Sequence, residues 1–313
     1  MNLNIGLDLY GGDFAPACNV GGLQLALERQ PQLIVTIFGD ENEARNLLSD
    51  FPDLNRIRLV HAPNKIEMGD SPMRSLTNKP QSSISTGLRY LKDGLIHGFA
   101  SAGNTGAIFG ASVILLGPVL PNIRPCLMTE VPRLYGRDAI ILDVGANADT
   151  KPETLVDFAL LGGAYCKYVL HIDNPRVGLI NIGEEPEKGN ELTKSAFKIL
   201  SQEQKINFTG NMEPDKLFVD AADVYVCNGF VGNIILKLSE SLINLVRKLG
   251  FAHPYFERFN YENLGGSPIL GVNGSVVIGH GVSNENAIAN MILKCKDLAA
   301  SGLQHKIKTA FGL

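Results

Sequence analysis

Cysteine is scarce in this chain and badly placed for pairing. Cys18, Cys126, Cys166, Cys227 and Cys295 are odd in number, far apart and never in a C-x-x-C pair, which argues against a disulfide framework or a zinc knuckle. Reduced thiols fit a cytoplasmic interior. Excess charge of one sign is also missing: the net charge of -4 leaves no basis for general nucleic-acid binding, although a local basic patch could still meet an acidic protein. Long hydrophobic runs are missing too. No charged residue occurs between Asp93 and Arg124, yet glycines and prolines interrupt this stretch. Its apolar part, Ala107 to Leu120, is too short to span a bilayer and reads as a buried helix. The first residues hold no Lys or Arg and reach Asp8 before any long apolar block, so a secretory signal is not expected. G-x-S-x-G, H-E-x-x-H and Walker A strings are absent, removing local support for serine acyl-enzyme chemistry, zinc proteolysis and P-loop hydrolysis. Gly11 and Gly12 are adjacent with no third glycine at the required offset, so the dinucleotide fingerprint fails as well.

What is present is a repeated pattern. Short apolar runs end at clusters of Gly, Asn and Asp, and helix-like stretches follow, as at Phe99 to Gly106 and Val226 to Asn233. Strands are predicted at Leu3–Leu9, Leu33–Phe38, Ile57–His61, Val177–Ile182, Ile206–Phe208 and Val224–Cys227, with helices between them. Such alternation predicts an α/β fold with a mostly parallel sheet. Cys126–Val131 and Ala139–Leu142 are close enough to form a hairpin. Residues 63–81, with three prolines, read as a long mobile connection of the kind that covers sites. A long amphipathic helix is expected over Asn233–Leu249, and the absence of a clear linker favours one two-lobed domain over residues 1–313.

In an open parallel sheet the Gly/Asn loops gather at the carboxyl ends of the strands, where backbone N–H groups at helix N-termini attract phosphate or a developing oxyanion. Gly11-Gly12-Asp13 is either such a phosphate cradle, with Asp13 capping the next helix or orienting a bound group, or a structural turn. Gly103, Asn104, Thr105 and Gly106 offer close backbone approach and side-chain donors, suited to an oxyanion or thioester carbonyl; a plain helix cap is the alternative. Asn147, Asp149 and Lys151 read as site-lining or as a self-neutralising polar network, not as a metal ligand set. Lys188 closes a loop carrying Glu184, Glu185 and Glu187, and could meet a phosphate, polarise a carbonyl or pair with one of those glutamates. Gly229 and Gly232 can expose backbone N–H groups beside Asn233, which could orient a carbonyl or cap a helix. His280, between Gly279 and Gly281, could donate to an anion, act as a base or be a packed loop residue.

At these residues the chain resembles the bacterial phosphate acyltransferases of the PlsX family. The resemblance runs over the full length and rests on Gly11 to Pro16, Ser101 to Gly106, Asp143 to Glu153, Asn181 to Glu191 and Gly229 to Asn233. Departures are Gln81-Ser82-Ser83 in place of Asp-Ser-Ser, Asn228 in place of Asp before Gly-Phe, Val282 within the closing His-Gly motif, and a shortened segment between Leu249 and Gly265. The resemblance implies a three-layer α/β/α fold like that of isocitrate dehydrogenases and phosphotransacetylases, a homodimer and transient attachment at the inner face of the membrane. It implies conversion of acyl-acyl carrier protein and inorganic phosphate to acyl phosphate for phospholipid synthesis, with no cofactor and no metal required.

The expected chemistry is direct attack of a phosphate oxygen on the thioester carbonyl, with Lys188 stabilising phosphate or oxyanion and Asn233 orienting the carbonyl. Asn104, Asn147 and His280 would position substrate. Arg247, Lys248, Arg258, Lys294 and Lys296 could form a basic patch for an acidic carrier protein. A dehydrogenase of the related fold and a catalytically silent carrier-binding scaffold are the competing readings.

Overall fold

The computed structural model describes residues 2–310. It begins with β1 (Asn4–Asp8), α1 (Ala17–Arg29), β2 (Ile34–Gly39), α2 (Glu41–Leu47), β3 (Ile57–His61), α3 (Pro72–Asn78), α4 (Ser83–Lys92), β4 (Gly98–Ser101) and α5 (Thr105–Leu116). There follow β5 (Cys126–Val131), β6 (Ala139–Leu142), α6 (Pro152–Tyr168), β7 (Arg176–Ile180), α7 (Glu191–Leu200), β8 (Asn207–Met212), β9 (Val224–Val226) and α8 (Gly229–Lys248). The series closes with α9 (Pro254–Glu257), α10 (Tyr261–Leu264), β10 (Ser267–Leu270), β11 (Val276–Ile278), α11 (Glu285–Ser301) and α12 (Leu303–Ala310). These elements divide into two compact units, one up to Val119 together with Tyr261–Gln304, the other Leu120–Asn260 together with the residues from His305 on.

In the first unit the strand order is β3-β2-β1-β4-β11-β10. All neighbours are parallel except the hairpin β10–β11. From β1 the chain steps outward through β2 to β3, then crosses back to place β4 on the other side of β1. Right-handed crossovers in opposite directions put their helices on opposite faces of a sheet, so β1 and β4 flank a switch point where loops diverge and leave a crevice. Strands buried on both faces read as continuous apolar runs. Ile5 and Leu7 are accordingly buried, and Phe38 packs edge-on against Tyr90 and Phe99.

In the second unit the order is β5-β6-β9-β7-β8. β6, β9, β7 and β8 are parallel, while β5 runs antiparallel to β6 as the predicted hairpin, with Met128 opposite Leu142. The carboxyl ends of β6, β9 and β7 therefore lie side by side, and the start of β5 lies beside the end of β6. Leu142, Leu155, Phe158, Leu179 and Tyr225 form the core of this unit. A partly buried ionic cluster sits on the opposite edge from those carboxyl ends: buried Arg133 pairs with exposed Asp220 and buried Asp223, and Arg176 binds the same two carboxylates.

Several elements differ from their sequence reading. Residues 63–81 contain a helix, because Pro72 opens α3 in its first turn and Pro80 cannot continue it. The uncharged helix ends at Leu116, where Gly117 at φ 71° turns the chain, and Ile114 on it is 57% exposed. The short strand predicted at Ile206–Phe208 runs on to Met212. The amphipathic helix begins at Gly229, four residues before the predicted start, because Asn228 caps it by accepting from Val231 N at 3.0 Å. Its outer face is apolar and uncovered: Ile234, Leu238, Leu242, Leu245 and Leu249 are all at least half exposed.

Burial alone would raise the Asp223 carboxyl, but hydrogen bonds from Arg176 and Arg133 outweigh it and bring its pKa down to about 2. A depressed carboxylate stabilises the fold above its unfolded pKa and loses that contribution as pH falls through the folded value. Urea midpoints measured between pH 6 and pH 2 should therefore fall at the acid end for the native chain. Asp223→Asn should flatten that acid-side fall, and at neutral pH should destabilise by about 3 kcal/mol, since Arg133 loses a buried counter-charge.

Candidate active site

Each unit carries its own cluster of loops at the carboxyl ends of its parallel strands. In the first unit these are the loops after β1, β4 and β11. Asp8 ends β1 fully buried, accepting from Tyr10 N at 3.0 Å through Oδ1 and from the Ser101 hydroxyl at 2.6 Å through Oδ2. Burial raises its pKa, partly offset by hydrogen bonds from Ser101 and Ser83. Ser101 in turn accepts from Gly103 N at 3.1 Å. One carboxylate thus ties the β1 and β4 loops together.

The two loops touch closely enough to require glycine at position 11, where a Cβ would lie 2.7 Å from Gly103 N and 2.8 Å from Ala102 N. Asn19, which the sequence reading missed, is buried in α1 with its Nδ2 at 2.9–3.0 Å from the carbonyls of Asp8, Leu9 and Gly11. Asp13 N donates to Gly281 O at 2.7 Å, joining the β11 loop. Asp13 itself is exposed and does not cap α1, whose N-cap is Pro16 without a side-chain cap. His280 is half-buried, and its carbonyl accepts from the Ser283 hydroxyl at 2.5 Å.

Asn104 is both a cap and a clasp. Its Oδ1 accepts from Ala107 N at 3.0 Å, while Nδ2 lies 2.9 Å from Met68 O and 3.1 Å from Asp70 O. That amide is consumed by the fold, pinning the 67–70 segment, and is not available to a substrate. Thr105 and Gly106 are exposed at the start of α5, so their N–H groups are the donors this loop can present.

In the second unit Asp143, fully buried at the end of β6, organises the loop that follows. It accepts from the backbone N–H groups of Leu127, Gly145, Ala146 and Asn147 and from Asn147 Nδ2. The first turn of α8 packs directly on this loop, with Gly229 N donating to Asn147 O at 2.8 Å. A Cβ at position 232 would lie 1.9 Å from Asp143 O, so only glycine fits. One turn into α8, Asn233 donates through Nδ2 to Val144 O at 3.1 Å. It is exposed, and the cap is Asn228 instead. The Asn228 amide performs the capping that an acidic residue would, without the charge.

Asn147 is 4% exposed and fully engaged: Nδ2 donates to Pro125 O and Asp143, and Oδ1 accepts from Arg124 Nε at 2.8 Å. The self-neutralising network of Asn147, Asp149 and Lys151 does not form, since no ion pair among the described residues joins Asp149 to Lys151. Arg124 is the residue the sequence reading passed over. Its only signal was position, as the first cation after a long uncharged stretch and just before a strand.

Lys188 lies in the loop after β7. Its backbone is fixed by Lys188 N donating to Glu185 O at 3.1 Å and by Asn181 Nδ2 donating to Lys188 O at 3.1 Å, and Asn211 Nδ2 holds Glu185 O at 2.8 Å. The alkyl stem passes over Gly183, whose Cβ position is 2.8 Å from Lys188 Cγ. The surface salt bridge does not form: no ion pair among the described residues includes Lys188, and Glu184 pairs with Lys216 at 3.5 Å. In the strand order β6-β9-β7, the Asp143, Asn228 and Lys188 loops are consecutive along one edge, about 5 Å per strand step. An unpaired ammonium, an exposed amide and a glycine-lined turn are thereby set on one edge of this unit.

The proposed basic patch is largely spent. Arg247 pairs with Glu257, Arg258 with Asp138, Lys296 with Asp297, and Lys294 donates to Leu264 O.

Solved structures with this fold define the class. A phosphotransacetylase from Streptococcus pyogenes superposes with a TM-score of 0.68 at 17% identity, covering 96% of this chain and 94% of that one. A 4-hydroxythreonine-4-phosphate dehydrogenase from Burkholderia phymatum superposes at 0.53 with 13% identity, covering 95% and 98%. The α/β class expected from the sequence is thus the one observed. Within it, residues 3–253 match the family model described as "Fatty acid synthesis protein". Phosphate acyltransferases from Salinibacter ruber and Halothermothrix orenii are each 39% identical, covering 98% of this chain and 97% and 98% of theirs. The chain belongs to this phosphate acyltransferase family, and it is an acyltransferase enzyme.

Asn104→Ala should remove both cap and clasp. The expected loss is about 1–3 kcal/mol of stability, read by urea unfolding, with faster amide exchange at residues 67–70 while the amides of β1 keep their protection.

Proposed function

We propose that the chain transfers the acyl group of acyl-acyl carrier protein to inorganic phosphate, giving acyl phosphate and free carrier protein. The observation that carries this reading is Lys188, a cation with no carboxylate partner among the described residues despite three glutamates in its own loop, fixed beside the loops bearing Asn233 and Asp143. Phosphate is already a competent nucleophile, so the protein need only hold two reactants in register and stabilise the charge that develops. A phosphate oxygen attacks the thioester carbonyl carbon. The carbonyl electrons move onto oxygen and return as the C–S bond breaks, and the sulfur leaves as thiolate. The proton of hydrogen phosphate ends on that sulfur, so atoms and charge balance without an enzyme-bound acyl group.

Lys188 would offset the charge on phosphate or oxyanion, and Asn233 would orient the carbonyl. Within the second unit the turns at Gly229 and Gly232 would let substrate approach the backbone, with Lys151 at the margin; within the first unit the loops containing Gly11, Gly12, Asp13, Gly103, Thr105 and Gly106, with His280 beside them, would bind substrate separately. Asn104 and Asn147 serve indirectly, by fixing loops.

The same reading places the enzyme in the cytoplasm as a homodimer, in contact with the inner face of the membrane. α8 supports this part of the proposal: it is 20 residues long and apolar enough to span a bilayer, yet only 17% of its most apolar window is buried, leaving an apolar face for a second copy or for lipid.

Release of free carrier thiol from long-chain acyl-acyl carrier protein, with and without inorganic phosphate, tests the reaction. Native protein should give phosphate-dependent release, and Lys188→Ala and Asn233→Ala should each reduce kcat/KM by about a hundredfold or more. A folded native chain that binds the carrier but releases nothing would make it a scaffold, and release untouched by either substitution would remove these two residues from the mechanism.

A further inference from the structure

We propose that Arg124 is a docking cation for a phosphoryl group on the second unit; the inference deepens the acyltransfer reading and rests on it for the identity of the reactants. Arg124 sits two residues before β5, and because β5 is antiparallel to β6 this places it on the edge that carries the Asp143, Asn228 and Lys188 loops. Its side chain is exposed but not adrift. Nε donates to Asn147 Oδ1 at 2.8 Å, and Asn147 is itself buried and locked on Asp143 and Pro125. The backbone N–H is fixed as well, donating to Asp157 Oδ2 at 3.1 Å.

A guanidinium held through Nε keeps its two terminal nitrogens as a fork of fixed direction. No ion pair among the described residues uses that fork, although Asp149 and Asp157 both lie on the segment that follows β6. A solvated surface arginine has no need of a buried asparagine to orient it. Here a buried amide spends its acceptor on the guanidinium, while its two N–H groups are fully used elsewhere. The Asp143 loop therefore has Asn233 attached at Val144 and Arg124 attached at Asn147, three residues apart.

A tetrahedral phosphoryl oxyanion is the chemistry that matches a presented arginine fork. In the acyltransfer reaction two reactants carry one, inorganic phosphate and the phosphodiester of the carrier's phosphopantetheine arm. Arg124 binds one of these, and Asn147 acts as a positioning residue that aims it.

The test compares native protein with Arg124→Ala, Arg124→Lys and Asn147→Asp in two arms. In the first, thermal unfolding is followed against inorganic phosphate and, separately, against 4′-phosphopantetheine, at constant ionic strength. A ligand that binds only the folded state raises Tm with its concentration. One of the two probes should raise Tm of the native chain; Arg124→Ala should lose that response and Arg124→Lys should recover part of it. In the second arm, KM for the same reactant should rise about tenfold to a hundredfold in Arg124→Ala, with kcat changed much less. A rise for phosphate identifies the nucleophile as the docked group, and a rise for acyl carrier identifies the phosphodiester.

Asn147→Asp sets a carboxylate against Arg124 and within 3.0 Å of Asp143, so it should lower Tm and, by neutralising the guanidinium, lose the ligand response as Arg124→Ala does. Equal responses to both probes in native protein and Arg124→Ala, or none in native protein, would overturn the proposal. Retained, Arg124-dependent binding without phosphate-dependent thiol release would instead overturn the acyltransfer reading and leave the docking cation standing.

Discussion

The second unit is built around one buried carboxylate. Asp143 ends β6 with no exposure to solvent, and its two oxygens take five N–H donors from Leu127 and from the turn between Gly145 and Asn147. A charge in that position is tolerable only when saturated by donors, and removing them would leave an uncompensated buried ion. The turn is therefore held in one shape. That shape leaves space for α8 only if positions 229 and 232 have no side chain, and it sets the carbonyl of Val144 where Asn233 can bind it. Asn147 and, through it, Arg124 follow from the same anchor.

The first unit uses the same device at its switch point. Asp8 ends β1 as Asp143 ends β6, and its hydrogen bonds to Tyr10 N and Ser101 bind together loops from two neighbouring strands. In neither unit is the aspartate presented to a ligand. Each holds the turn above it in one shape, with the N–H groups that do so aimed at the carboxyl group and not at the loop surface. The two aspartates are screened from the loop surface by the donors that satisfy them.

Much of the fold was legible because strands buried on both faces leave continuous apolar runs, and because Gly and Asn mark their carboxyl ends. The hairpin at Cys126–Leu142 and the loop cluster at Phe99–Gly106 could be read that way. What could not be read was which polar atom each side chain would spend on its own fold. Asn104, Asn147 and Asn233 look equivalent in sequence, yet one clasps the 67–70 segment, one aims an arginine and one stands exposed at a helix turn. Arg124 was invisible for the complementary reason. The strand pairing beside it was readable, but its setting depends on Asn147 Oδ1 meeting its Nε from the loop after β6, a contact between distant side chains that no local pattern encodes. The ion pairs of Arg247 and Arg258 likewise depend on where α9 folds back.

The helix that holds Asn233 near its beginning carries its uncovered leucines along the remaining turns. Its first turn is fixed by contacts too tight for any side chain, and its far end is tied by the Arg247–Glu257 ion pair. A surface laid on Ile234, Leu238, Leu242 and Leu245 would meet a helix already fixed at the turn that holds the Asn233 amide. One helix thus does two jobs, seating an amide in its opening turn and offering an apolar stripe along the rest of its length.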